Sequence, residues 1–578
     1  MLTEERSKGW GMAEQRGSKV ERYLPLIYLA VALVLVIAVL PTVLRPPQQQ
    51  PHQSAELSPD APPDKDQQSI ISSLGRGQSA TAGSGAGVGA GEASGPDVGV
   101  GAGPGGAVPA PATKPSFCPN GFGNPRRQTE SLYSAPCAAA FSGPNGGSTW
   151  HNVSANEIRI GLRANTGNAS STGPIPDHST SGNNTDRTLS DMQRYFNQNY
   201  QLYGRRLQLV QLRGASSVAD TQASVVEADQ QWKLFGAVYT AGPASAEFCK
   251  GMAQHRLLTM CKQLDDAFFE QWAPYSYTWE IDTQEVDRLD AEYICKELAG
   301  KPAAHAGVPQ QGRPRRFGLA YETTPDLGDR NSSYMEAQLK KQCGITDAVA
   351  VTMADSENQS ASPYAATTAI ARFQAENVTT IDLQTNGVNG AAMMSAAEAQ
   401  GYNPEWIFSS VYWDDKNNIS QLFPTGQMTH AFGLSAWEVP TVPADTECAR
   451  ALRTIDPGIS PDGNACAAYF FALEQFSNGI QMAGPHLTPI SFRDGLWAIG
   501  LRYYPQFRWS MGGGYAPHHW SYPNDVAEVW WDATAIAPED SSPGAWRWVR
   551  NGKRYKEGEI PHEDPFVFTE GVASMPRE

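Results

Sequence analysis

From Glu157 onward, short apolar runs alternate with amphipathic stretches. EIRIGLRA (157–164) and LQLVQL (207–212) read as strands, and FGAVY (235–239) and LLTMC (257–261) are short, nearly continuous apolar runs, the pattern of strands buried in a parallel sheet. Between and after them, LSDMQRYFNQNY (189–200), VADTQASVVEADQQW (218–232) and EVDRLDAEYICKEL (285–298) carry apolar residues at helical spacing. The aromatic stretch APYSYTWEI (273–281) alternates as a strand does, with Tyr275, Tyr277 and Trp279 on one face. A second series repeats the theme. FGLAY (317–321), AVAVTM (348–353), VTTIDLQT (378–385) and WIFSSV (406–411) read as strands, separated by helices at 332–343, 362–376 and 388–401. Repeated β–α alternation predicts an α/β protein with parallel sheets, helices on both faces and right-handed crossovers. The units are too many for one ordinary sheet, so two Rossmann-like lobes are expected. After AFGLSAW (431–437) the pattern turns helical at 465–484 and 491–500. It closes with DVAEVWWDA (525–533) and WRWVRNGKRY (546–555), read as strands around the hairpin dipeptide Asn551-Gly552.

The first 155 residues have another texture. Leu24–Leu44 carries no charge, long enough to cross a hydrocarbon core of about 30 Å and longer than the apolar region of a cleaved signal. The basic residues Lys8, Arg16, Lys19 and Arg22 precede it. By the positive-inside rule a single-pass anchor results, with residues 1–22 cytoplasmic, the span at 23–45 and the rest outside the membrane, extracellular or periplasmic. Residues 46–116 are Pro-, Gly- and Ala-rich, with almost no large apolar side chain, the composition of a disordered linker. Residues 117–155 form a cysteine-containing lead-in. The remainder divides into a first lobe, 156–282 plus 436–510, and a second, 283–435 plus 511–568.

The formal net charge of −16 argues against a nucleic-acid partner, since no basic stripe stands out. Of the eight cysteines none lies in a CxxC motif, so a zinc knuckle is not expected. An even count beyond a membrane segment suggests disulfides in an oxidising compartment. Pairing in sequence order, Cys118 with Cys137, Cys249 with Cys261, Cys295 with Cys343 and Cys448 with Cys466, is simplest because each pair closes a local loop. The alternative for Cys249 and Cys261 is two buried free thiols.

The stretch 235–261 reads as strand, small-residue turn, helix and strand. Its turn, Thr240 to Ser245, leaves a helix N-terminus open, where unpaired N–H groups and partial positive charge accept a carboxylate or phosphate. With EIRIGLRA, YTWEIDTQEVDR, FGLAYETTPDLGDRNSSYMEAQLKKQCG and the closing DVAEVWWD, this layout resembles the type I periplasmic substrate-binding proteins, specifically the leucine/isoleucine/valine-binding class of ABC transporter solute receptors. The resemblance covers about 157–568 and rests on the order of elements, not on one diagnostic motif. It implies two lobes joined by three crossing strands, with a solute held in the cleft. It places the ligand carboxylate at Thr240, Gly242, Ala244 and Ser245. Second-lobe contacts fall at Thr323 and Thr324, Asn386 and Val388, and Trp413 with Asp414. The loop after the next strand departs from the family pattern: Lys262 either adds a cation for an anionic ligand or points to solvent. Asp414 either pairs with an ammonium group or, with Asp415, caps the following helix.

His518-His519-Trp520 is expected to be a surface loop with no metal. No GxSxG, HExxH or P-loop motif occurs, so an enzyme is not expected and no cofactor is implied. The expected function is therefore capture of a small polar solute, amino-acid-like or another carboxylate, for an ABC-type importer and its membrane permease. The alternative is a ligand-sensing or surface-interaction ectodomain of the same fold.

Overall fold

A computed structural model describes residues 131–138, 141–163, 172–179, 183–214, 217–239, 245–323, 330–354, 362–505, 509–565 and 567–575. All lie within one unit of the chain, Ile70–Glu578. The apolar run Leu24–Leu44 and the linker fall outside the described residues. Among the described residues no helix is long and apolar enough to cross a membrane.

Two sheets are present, as the alternating pattern predicts. The first contains β1 (Glu157–Arg163), β2 (Gly173–Pro174), β3 (Arg206–Leu212), β4 (Gly236–Tyr239), β5 (Leu258–Cys261) and β6 (Ser276–Thr278). Their order is β2-β3-β1-β4-β5-β6, parallel except for the short edge strand β2. Because β1 sits between β3 and β4, the order of winding reverses there, so the β1/β4 boundary is the topological switch point. Helices Asn184–Asn199, Val218–Val226, Ser245–Gln254, Phe471–Ala483 and Pro489–Ile499 contribute to one apolar core around this sheet.

The second sheet contains β7 (Phe317–Thr323), β8 (Val349–Ala354), β9 (Thr380–Gln384), β10 (Glu405–Phe408), β11 (Ala431–Ser435), β12 (Val526–Ile536), β13 (Pro543–Trp548) and β14 (Arg554–Tyr555). Its order is β13-β12-β11-β10-β9-β7-β8, with β14 also on β12. The switch point falls between β7 and β9. Successive strand residues face opposite sides. Ala320, Trp406 and Phe408 enter one core while Leu319, Tyr321 and Ile407 enter the other.

Asn551-Gly552 does not turn a hairpin. β13 and β14 both run antiparallel to β12, at Val529–Ile536 and Val526–Ala527 respectively, so they lie end to end along one partner. The positive φ of Arg550, Asn551 and Gly552 shapes a kink between collinear strands. The dipeptide supplied left-handed backbone, and tertiary pairing decided its use.

Three stretches of chain pass between the cores, around Glu280–Asp282, Ala436–Val439 and Gly512–Asp525. They are stitched together. The Thr278 amide donates to the Trp520 carbonyl at 2.9 Å, and the Val439 amide donates to the Trp509 carbonyl at 2.9 Å. Met511, Tyr515, Trp520 and Tyr522 pack in the first core before the chain enters β12. The lead-in also belongs to this core. Tyr133 is buried there, its hydroxyl donates to Glu438 at 2.9 Å, and Ser134 Oγ donates to Glu474 at 2.9 Å.

Cys249–Cys261, Cys295–Cys343 and Cys448–Cys466 are bonded, with Cα separations of 6.2, 5.5 and 5.7 Å. Cys137 is also disulfide-bonded, while Cys118 lies outside the described residues.

Candidate functional site

The carboxyl ends of the two sheets meet. Lys262 and Gln263 follow β5, Glu280 follows β6, Glu322 is the last residue but one of β7, Asn386 follows β9 and Ser410 to Asp415 follow β10. In open α/β sheets this is the edge where ligands bind.

Gln263 ties the edges together. Its Nε2 donates to the carbonyls of Ile281 and Ser410, both at 2.8 Å, and its Oε1 accepts from the Tyr412 amide at 3.2 Å. Its own amide donates to Glu280 Oε2 at 2.7 Å. Glu280 in turn accepts from Trp413 Nε1 at 2.5 Å. Trp279, Trp413 and Trp437 form an aromatic cluster with ring centroids 5.9 to 6.3 Å apart. One member of the alternating aromatic stretch, Trp279, thus reaches the lobe junction, while Tyr277 is core.

Asp414 is the anomaly in this junction. Its residue is 1% exposed, and neither carboxylate oxygen has a hydrogen-bond partner. The side chain lies against the start of helix Gly387–Ala399, where a Cβ added at Gly387 would come within 3.3 Å of Oδ1. It does not cap the next short helix, Asn417–Ser420, whose N-cap is Lys416 with no side-chain bond. Burial raises the Asp414 pKa well above the usual carboxylate range; Glu322 and Asp415 push the same way and Lys262 opposes them. Asp415 is differently placed, accepting from Ser410 Oγ at 2.6 Å and Trp437 Nε1 at 3.0 Å.

The structure brings Lys262, Trp413 and Asp414 into one cluster. Lys262 does not point to solvent: it is buried, and its ammonium lies 4.6 Å from the centre of the Tyr412 ring. Asn386 is buried at the second switch point. Its Oδ1 caps helix Gly387–Ala399 by accepting from the Val388 and Asn389 amides, and its backbone N–H donates to Glu322 Oε1 at 3.0 Å. Thr323 Oγ1 donates to the Met353 carbonyl at 3.3 Å. Ser245 begins helix Ser245–Gln254, half-buried. Thr240, Gly242, Ala244 and Thr324 lie outside the described residues. The Cys249–Cys261 bridge ties that helix to the residue before Lys262.

Sequence reading missed Glu280, Gln263 and Glu322, whose partners are distant in the chain. It also missed Arg163, the last residue of β1, which is 1% exposed. His519 does not belong to a purely surface loop. It turns toward Asp282 and Glu285, with one potential ligand atom from each lying within 4.8 Å of the others. His518 beside it is exposed and meets Glu270 at 3.0 Å.

No family model matches the sequence, and no curated protein matches it. Solved structures share the fold. A periplasmic binding protein from Burkholderia mallei is similar at 12% identity with a TM-score of 0.50, over 70% of this chain and 96% of that one. A possible leucine/isoleucine/valine-binding protein from Rhodopirellula baltica is similar at 12% identity and a TM-score of 0.44, over 67% and 96%. An ABC transporter substrate-binding protein from Desulfitobacterium hafniense, in complex with Leu, is similar at 16% identity and a TM-score of 0.41, over 69% and 100%. The chain shares the α/β fold, with its mixed parallel sheets, of the Burkholderia mallei periplasmic binding protein.

Proposed function

We propose that the protein is a membrane-anchored solute receptor. It captures a small polar ligand bearing an ammonium group, amino-acid-like in character, between its two lobes. The observation that carries this reading is the Asp414 carboxylate, buried at the meeting edge of the two sheets without a hydrogen-bond partner. An ionised carboxylate left unpaired in such a place is costly, and a cationic group of the ligand would relieve that cost. Trp413 and Trp279 offer flat apolar walls, and Glu280 and Glu322 add negative potential. Thr323 and Asn386 border the ligand from the second lobe. In the first lobe, the turn holding Thr240, Gly242, Ala244 and Ser245 supplies backbone amides for the ligand's carboxylate, with Lys262 alongside. Closure about the three connecting stretches shuts out water. Residues 24–44 anchor the receptor, and the linker gives reach toward a permease of the ABC type.

A thermal-shift screen of the full chain with amino acids, small acids and sugars tests the reading. A ligand at 100 times its Kd stabilises by about 2.7 kcal/mol. The expected hit carries both an ammonium and an anionic group and loses its effect in Asp414→Asn and in Ser245→Trp. Stabilisation unchanged in both variants contradicts the proposal. Co-purification of the full chain with a permease tests the transport role.

A further inference from the structure

Arg163 ends β1 opposite Tyr239, the last residue of β4, so the pair sits on the first sheet's switch point. The side chain is buried, yet its polar atoms are largely unmet. Nη2 donates to Thr221 Oγ1 at 3.0 Å, while Nε and Nη1 have no partner. The guanidinium carbon lies 4.9 Å from the centre of the Tyr239 ring and 4.4 Å from that of Phe248. These two rings stack on each other with centroids 5.4 Å apart.

The surroundings are electropositive. Thr221 and Phe248 both belong to the first turns of helices, Val218–Val226 and Ser245–Gln254, whose N-termini carry partial positive charge. The acids in those turns are engaged elsewhere: Asp220 accepts from Ser217 Oγ at 2.9 Å and Glu247 meets Lys250 at 3.2 Å. Burial lowers the arginine's pKa, and the charge-stabilising influence on it comes from the Tyr239 phenol, not from a carboxylate. A buried arginine is ordinarily paired, because an isolated buried cation is costly.

We infer that Arg163 is an anion-recognition residue whose partner is the carboxylate of an organic ligand. Unmet N–H donors at the switch point, two helix N-termini and aromatic walls select one delocalised negative charge on an apolar body over a strongly hydrated inorganic ion. Two strand spacings separate β1 from β5 through β4, so Arg163 stands roughly 10 Å along the sheet edge from Lys262. The inference rests on the solute-capture reading and sharpens it. The first lobe reads the ligand's anion with a side chain as well as with backbone amides, and the second lobe reads its cation.

The test measures melting of the full chain in sodium benzoate or sodium acetate, against sodium chloride at equal ionic strength and against neutral benzamide. Benzoate or acetate is expected to raise the melting temperature saturably, and chloride and benzamide are not. In Arg163→Met the half-effective carboxylate concentration rises by at least about tenfold, as loss of a charge-assisted hydrogen bond requires. Arg163→Lys retains part of the response and serves as the folded control should Arg163→Met not fold. Phe248→Leu, which removes one ring and keeps the charge, weakens benzoate more than acetate. No response to either carboxylate in the wild type, an equal response to benzamide, or an unaltered response in a folded Arg163→Met overturns the inference. A response that depends on Arg163, in a chain whose lobes never close with any solute, keeps the anion site and ends the capture reading. A solute that closes the lobes equally well in Arg163→Met ends only the anion site.

Discussion

Replacing Asp414 with asparagine keeps the shape and removes the charge, so its effect on stability separates by pH. In the unfolded chain this carboxyl titrates near its ordinary value of about 4. In the folded protein, burial together with Glu322 and Asp415 raises its pKa, against the opposing pull of Lys262. A raised carboxyl pKa means that the folded state holds a proton the unfolded state has released. The associated stability is therefore complete below about pH 4 and is lost as pH climbs toward the raised value. The slope is at most about 1.4 kcal/mol per pH unit, so two units of climb within the window cost the wild type about 3 kcal/mol relative to the asparagine variant. Urea unfolding of both full chains from pH 4 to pH 8 at fixed ionic strength, followed by tryptophan fluorescence, measures the gap. Asp414→Asn is expected to match the wild type near pH 4 and to exceed it increasingly above. A gap that stays constant across the range refutes the claim that this carboxylate is buried and unpaired. A ligand ammonium prefers the ionised carboxylate, so its affinity for the wild type is expected to rise over the same window.

Other perturbations test the frame around the site. Gln263→Ala removes the bonds to Ile281, Ser410 and Tyr412 that join the sheet edges. Small-angle scattering of the ligand-free chain is expected to show a larger radius of gyration than the wild type. Arg315 and Glu405 form a buried two-point ion pair at 2.8 and 2.9 Å. Arg315→Met strands the carboxylate and is expected to cost about 3–5 kcal/mol in urea unfolding. Cys249 and Cys261 are 12 residues apart. Replacing both with alanine is expected to cost about 3 kcal/mol by loss of loop constraint, read from the same unfolding curves.

The strands were legible because buried parallel strands are locally distinctive: FGAVY and LLTMC hold few residues that any other setting would favour. The helices were legible from their spacing, as were the local pairs Cys249–Cys261, Cys295–Cys343 and Cys448–Cys466. Convergence was not legible. Gln263, Glu280 and Glu322 become neighbours of the Trp413–Asp414 segment only when the carboxyl ends of two sheets face each other, and nothing in their own segments marks that. Nothing in EIRIGLRA marks Arg163, whose unmet Nε and Nη1 exist only in three dimensions. Asn551-Gly552 shows the converse, a strong local turn signal whose hairpin outcome was overridden by pairing with β12.

Closure of the two lobes around a solute is tested most directly by a distance between them. The described residues contain no free cysteine, so Val218→Cys and Tyr364→Cys, both exposed positions on different sheets' helices, provide selective spin-label sites on the full chain. Pulsed electron resonance is expected to show a distribution that narrows and shortens when the screened ligand is added, and that no longer responds in Asp414→Asn. One distance, indifferent to every ligand that stabilises the protein, would contradict capture between lobes.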